Sequence, residues 1–230
     1  LSTGEIVTPT YIEATGTDNP LSNISIGRYS APAAYDFDND GDVDLVAGDA
    51  GSTLVLIENT VQGFTVRTAS STPFAGIDLI STSAPAFTDL NSDGVLDLAI
   101  GLSNGTISTY FNEEGVFTLA EGSDNPFDGI SVGGSGGAQP AFVDLDLDGD
   151  MDLVVGRRDG GLLAYERQST GFVEFPGAPF ALLQGAQNPF YDIITGGRSS
   201  PAFADFDYDG DLDLFIGDSN GGVTGYERIS

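Results

Sequence analysis

Four stretches of this chain carry carboxylates at a spacing that suits a hard cation. They run from Asp36 to Asp44, Asp89 to Asp97, Asp144 to Asp152 and Asp205 to Asp213, and all read D-x-[DN]-x-D-G-x-x-D. Positions 1, 3, 5 and 9 offer side-chain oxygens. These are Asp36, Asp38, Asp40 and Asp44; Asp89, Asn91, Asp93 and Asp97; Asp144, Asp146, Asp148 and Asp152; and Asp205, Asp207, Asp209 and Asp213. They converge on one point if the chain turns sharply at position 6, which is glycine in every copy (Gly41, Gly94, Gly149, Gly210). Such a turn leaves no room for a side chain. The backbone carbonyl of position 7 (Asp42, Val95, Asp150, Asp211) fills a further place. An all-oxygen shell of this kind suits Ca2+ rather than zinc or copper, with one ion per loop. Loop 2, with Asn91, has one charge fewer and is expected to be the weakest site.

An EF-hand shares the opening of this motif but needs Glu at position 12 on a following helix. Here position 12 is Ala47, Ile100, Val155 or Ile216, inside an apolar run, so that reading is rejected. The bland alternative is an acidic turn with no ion, which leaves clustered carboxylates repelling one another. At millimolar calcium each site adds about 1–3 kcal/mol, which makes the ions structural rather than catalytic.

Other chemistry is poorly supplied. With no His, no Cys and no Lys, the usual nucleophile–base pairs and Schiff-base chemistry are absent. The scattered glutamates form no pairing motif, and the chain reads as non-enzymatic. Acids outnumber arginines 35 to 7, for a net charge of −28. Such a surface repels nucleic acid and anionic membranes. Five, three, five and five of the aspartates lie in the four loops, about half of all acids, and bound cations explain that concentration better than a generally solvated surface. No apolar run is long enough to cross a membrane. The first residue is Leu1 and no basic, apolar leader is present, so the chain is read as a mature or trimmed product.

The elements around the loops repeat with them. A Pro-Ala pair precedes each loop (strand A: Pro85 to Phe87, Pro140 to Phe142, Pro201 to Phe203), and an apolar run ending in Gly follows (strand B: Asp44 to Gly48, Asp97 to Gly101, Asp152 to Gly156, Asp213 to Gly217). Continuous apolar runs this short suit strands buried on both faces. Gly/Asn/Asp turns lead to an alternating strand C (from Leu54, Ile107, Leu163 and Val223), then to strand D at 64–68, 116–120 and 172–175. An x-Pro step links each unit to the next (Asn19-Pro20, Thr72-Pro73, Asn125-Pro126, Asn188-Pro189). Strand A recurs at 31, 84, 139 and 200. No segment has a helical period. Four antiparallel strands per unit describe a propeller blade.

The expected fold is therefore an all-β, four-bladed propeller in one domain, 1–230, with units at about 15–70, 71–121, 122–176 and 177–230 plus 1–14. The last unit stops after strand C, and residues 1–14 have the content of its missing strand D, so the N-terminus is expected to complete the last blade. That removes an edge that would otherwise aggregate. An open array of hairpin sheets is the alternative.

The PAFxDxDxDGDxDLxxG unit, with NPFxxI before it and a YER-like strand after it, resembles FG-GAP/VCBS-type repeats along nearly the whole chain. The resemblance implies blades with calcium in the A–B loop and places the chain among extracellular, adhesin-like proteins and, more distantly, the integrin α-subunit propeller. Integrin-type propellers have seven blades, whereas four units are present here. The reading that follows is a secreted or cell-surface structural or adhesive module. It self-associates into a fibre if the N-terminal strand enters a neighbouring molecule. The alternative is a calcium-dependent, lectin-like propeller that recognises a glycan or cell-surface protein, with Tyr29, Phe127, Phe190 and Tyr191 stacking on sugar rings. Against it, the Phe of each NPF step would simply plug the gap between blades. Glu166-Arg167 and Glu227-Arg228 are expected to form ion pairs at strand edges. Asn23 and Asn104 head glycosylation sequons.

Overall fold

The computed structural model describes residues 18–26, 30–38, 40–48, 53–67, 72–77, 79, 83–133, 137–168, 180–182, 184, 188–205 and 208–228. Within these the chain is all-β, apart from short 3-10 geometry at Asp18 and at Gly122–Asp124. It forms four antiparallel sheets, each a meander of consecutive strands. Sheet 1 holds β1 (Ala31–Tyr35), β2 (Asp44–Gly48), β3 (Leu54–Thr60) and β4 (Gly63–Arg67). Sheet 2 holds β5 (Ser83–Thr88), β6 (Asp97–Leu102), β7 (Ile107–Glu113) and β8 (Val116–Leu119). Sheet 3 holds β9 (Gln139–Val143), β10 (Asp152–Gly156), β11 (Leu162–Arg167) and β12 (Phe180–Leu182). Sheet 4 holds β13 (Ser200–Ala204), β14 (Asp213–Gly217) and β15 (Val223–Tyr226).

The first pairing has the same register in every sheet. Pro32, Pro85, Pro140 and Pro201 face Ala47, Ile100, Val155 and Ile216. Proline lacks an N–H and is tolerated because this strand is the edge of its sheet. β12 fills the outer place in sheet 3 and pairs with β11 through Tyr165 opposite Leu182. That is later in the chain than the 172–175 expected for strand D, which lies outside the described residues. So do residues 1–14, and sheet 4 has three strands among the described residues.

Successive strand-B residues point to opposite faces and serve different cores. Leu98 and Ile100 of β6 pack with Val46, Leu54 and Leu56 of sheet 1 around Phe74. Ala99 packs the other way, with Leu153, Val155 and Tyr165 of sheet 3 around Phe127. Val154 in turn joins Leu214 and Ile216 of sheet 4 around Phe190. Three apolar layers thus join sheets 1 to 2, 2 to 3 and 3 to 4, and no comparable layer joins sheet 4 to sheet 1 among the described residues.

The glycine ending strand B makes the close approach possible. A Cβ on Gly48, Gly101 or Gly156 would lie 2.3, 2.3 or 2.1 Å from the carbonyl oxygen of Ser83, Ala138 or Ser199, just before or at the first strand of the next sheet. β1 lies against β5, β5 against β9 and β9 against β13. Residues of all four first strands line one cavity of about 300 Å3, together with Arg198 and Asp218.

Candidate metal centres

Each acidic loop closes on itself through its own carboxylates, in the same way in every copy. The position-1 aspartate accepts the N–H of the position-6 glycine: Gly41 to Asp36 at 3.1 Å, Gly94 to Asp89 at 2.9 Å, Gly149 to Asp144 at 3.0 Å and Gly210 to Asp205 at 3.2 Å. These glycines have φ between 85° and 101°, a region that penalises a Cβ. A Cβ there would meet nothing within 4 Å, so the dihedral and not the expected lack of room selects glycine. Position 5 donates its N–H to the position-3 side chain in loops 1 to 3 (Asp40 to Asp38, Asp93 to Asn91, Asp148 to Asp146). The position-7 N–H of Asp42, Val95, Asp150 and Asp211 reaches the position-5 carboxylate in all four loops. Position 4 is left-handed as well, at Ser92, Leu147 and Tyr208.

Position 9 behaves differently. Asp44, Asp97, Asp152 and Asp213 open strand B and are fully buried. In loops 1 to 3 one carboxylate oxygen accepts the N–H of loop position 2 (Phe37, Leu90, Leu145) at 2.8 to 2.9 Å. In all four loops the other accepts the N–H fifteen residues on, at the end of strand C (Asn59, Asn112, Arg167, Arg228), at 2.7 to 2.9 Å. This residue pins the loop to its sheet as well as facing it. Sequence reading missed that role, although an acid opening an otherwise apolar buried strand was the visible signal.

The side chains converge unequally. Carboxylate oxygens of Asp36, Asp38 and Asp40 lie within 4.8 Å of one another, and so do those of Asp144, Asp146 and Asp152. In loop 2 the Asn91 amide donates to Asp93 at 2.9 Å, so one carboxylate oxygen is already engaged. In loop 4, Asp207 lies outside the described residues. Oδ1 of Asp36 and Oδ1 of Asp205, the first acids of loops 1 and 4, are buried and accept no hydrogen bond among the described residues. A buried anionic oxygen without a donor is costly, and a hard cation is the partner that satisfies it. The residues present therefore fit Ca2+. Burial also pushes the Asp97 carboxyl up to about 6, against backbone N–H bonds that pull it down and helped by Asp93 and Asp89 nearby. Burial raises Asp152 in the same way. A cation in the loop would oppose both shifts.

The other singled-out residues divide cleanly. In each NPF step the Asn side chain accepts the N–H two residues on, Asn125 from Phe127 at 3.0 Å and Asn188 from Phe190 at 2.9 Å. Its amide also donates to the first strand-C carbonyls, Ile107 and Leu162. That turn drives the ring inward, so Phe127 and Phe190 are plugs between sheets, 1% and 8% exposed. Tyr191 is exposed, and Tyr29 lies outside the described residues. Asn23 and Asn104 are exposed, and the Asn104 carbonyl accepts the hydroxyl of its sequon partner Thr106 at 2.7 Å.

The expected edge ion pairs at Arg167 and Arg228 need correction. Arg167 is buried rather than at an edge, and bonds the carbonyls of Asp89 and Leu90 in sheet 2. Arg228 bonds those of Asp144 and Leu145 in sheet 3.

The profile of the FG-GAP-like repeat matches residues 36–100, 89–155 and 144–216. Each window runs from position 1 of one loop to position 12 of the next, and together they span 36–216 of the 230 residues. No individual curated protein matches the chain.

Proposed function

This chain belongs to the FG-GAP-like repeat family, and from that premise we propose that it is a non-enzymatic, calcium-stabilised propeller serving as an extracellular structural or adhesion module. The observation that carries the reading is the fourfold loop, closed by the same carboxylate-to-backbone bonds, with first-position oxygens in loops 1 and 4 that no donor among the described residues satisfies. Asp36, Asp38, Asp40 and Asp44 and their counterparts would hold one ion in each loop, with the position-7 carbonyl. An ion there neutralises like charge on a connection between two core strands, so its effect is on stability rather than on a reaction.

Four first strands around one cavity, with sheets 1, 2 and 3 docked on the next sheet through the strand-B glycines Gly48, Gly101 and Gly156, support a four-bladed ring. The remaining seam is the one between sheets 4 and 1. Residues 1–14 are proposed to complete sheet 4 beside β15, within the molecule or in a neighbour, and the second arrangement builds a fibre. The buried NPF rings leave the glycan-binding alternative with Tyr191 as its exposed aromatic among the described residues.

Chelation tests the central claim. Calcium bound at four sites of millimolar-range affinity raises the melting temperature by roughly 10 °C or more, given about 1–3 kcal/mol per site. An unchanged melting curve after chelation sinks it.

A further inference from the structure

Two of the seven arginines form a relay that joins three of the four loops. Arg167, at the end of β11, donates to the Asp89 and Leu90 carbonyls of loop 2 at 3.3 and 2.9 Å. Its own N–H donates to Asp152 of loop 3 at 2.7 Å. The other oxygen of Asp152 accepts the N–H of Leu145 at 2.9 Å. The Leu145 and Asp144 carbonyls accept the Arg228 guanidinium at 3.0 and 3.2 Å, and the Arg228 N–H donates to Asp213 of loop 4 at 2.9 Å. Positions 1 and 2 of one loop are thereby hydrogen-bonded to the residue that holds position 9 of the next.

The relay stops short of loop 1. Asn112 holds the place of Arg167 in sheet 2, and its shorter amide donates to Leu96 of its own loop at 3.1 Å. Asn59 does the same in sheet 1, towards Val43 at 3.4 Å.

We propose that Arg167 and Arg228 are positioning residues that couple the ion sites of loops 2, 3 and 4, so that these fill together while loop 1 fills alone. The proposal rests on the calcium reading above. An ion drawn to the position-1 carboxylate steadies the backbone whose carbonyls the arginine fork grips. A steady fork fixes the arginine's own N–H, and with it the position-9 carboxylate of the next loop. Filling one loop therefore prepares its neighbour, and the coupling acts equally in both directions. The planar, two-pronged donor is specific to arginine, and lysine offers a single point charge in its place.

Terbium, a luminescent stand-in for calcium, provides the test on the full chain. Tyr208 lies within loop 4 and is exposed, so the tyrosine-sensitised emission that is lost in Tyr208→Phe reports loop 4 alone. Asp146→Asn weakens loop 3 and keeps the oxygen that closes it. This substitution is expected to raise the terbium concentration that half-fills loop 4 by about fivefold or more, the lower end of ordinary couplings. Asp38→Asn, in loop 1, is expected to leave loop 4 where it was. In an Arg228→Asn background, which copies sheets 1 and 2, Asp146→Asn is expected to have no effect on loop 4. Arg228→Lys, which keeps the charge and loses the fork, replaces that background if the first does not fold. The proposal is overturned if Asp146→Asn leaves loop 4 unchanged in the wild-type chain, or if the coupling survives both arginine variants. Calcium binding itself stands in either case. If neither terbium nor calcium binds, both readings fall together.

Discussion

Replacing Gly156 by alanine asks whether the sheets dock as described. A Cβ there would sit 2.1 Å from the Ser199 carbonyl oxygen and 2.8 Å from the Pro201 ring. Both neighbours belong to the start of the next sheet, so neither moves without shifting that sheet. Overpacking of this kind costs about 1–3 kcal/mol or more. Removing a strand glycine returns about 0.5–1 kcal/mol. A net loss of roughly 2 kcal/mol follows, or about 4–8 °C in melting temperature for a chain of this size. Gly217→Ala is the internal control. It occupies the same place in sheet 4, but among the described residues its nearest atoms are those of Ser200, at 3.9 and 4.0 Å. It is expected to be neutral or slightly stabilising in a chain whose seam is open. Thermal melts of the two variants in calcium decide the matter. A Gly156→Ala protein as stable as the wild type refutes the docking argument. A Gly217→Ala protein as damaged as Gly156→Ala means that a carbonyl, from sheet 1 of a closed ring or from another molecule, packs on sheet 4.

Phe127→Ala is expected to lose about 3–5 kcal/mol in urea melts, because the ring fills the layer between sheets 2 and 3, whereas exposed Tyr191→Ala changes stability by about 0.5 kcal/mol or less. The pH dependence of calcium-free protein follows from Asp97, whose folded carboxyl at about 6 lies above its ordinary 3.8. Between those values the folded chain binds more protons than the unfolded one, so stability without calcium rises as pH is lowered from 7 towards 4. With calcium bound the same window shows the reverse, since protons then compete with the ion, and urea midpoints at pH 7 and 5 separate the two cases. Deleting residues 1–14 is expected to abolish any polymer that the intact chain forms in millimolar calcium, or, if the intact chain is a 23.8 kDa monomer, to lower its stability alone. Light scattering of the two chains reads which occurs.

Strands A to C of each unit, the loop positions and the repeat were legible in the chain itself, whereas the outer strand of sheet 3 lies at Phe180–Leu182 rather than at 172–175. The legible features rest on local information: a glycine that adopts the positive φ at Gly41 or Gly94 at little cost, a proline confined to an edge, and apolar runs bounded by turn residues. The sequence also located the acidic loops, because carboxylate spacing along the chain is enough to state what they are able to ligate. Tertiary structure decided the partners. Nothing near Arg167 in the chain announces Asp89 and Leu90, 78 and 77 residues away, and only the packing of one sheet on the next brings them into reach. Phe127 and Phe190 were legible as plugs between blades from their place in the NPF step, but the spacing alone left sugar stacking open, and their burial decides between the two. The same holds for Gly156, whose reason for being glycine is a carbonyl in another sheet. Asp97 and Asp152 read as ligands by spacing. Burial added their second task, because an acid enclosed at the root of a core strand must find backbone donors within the fold.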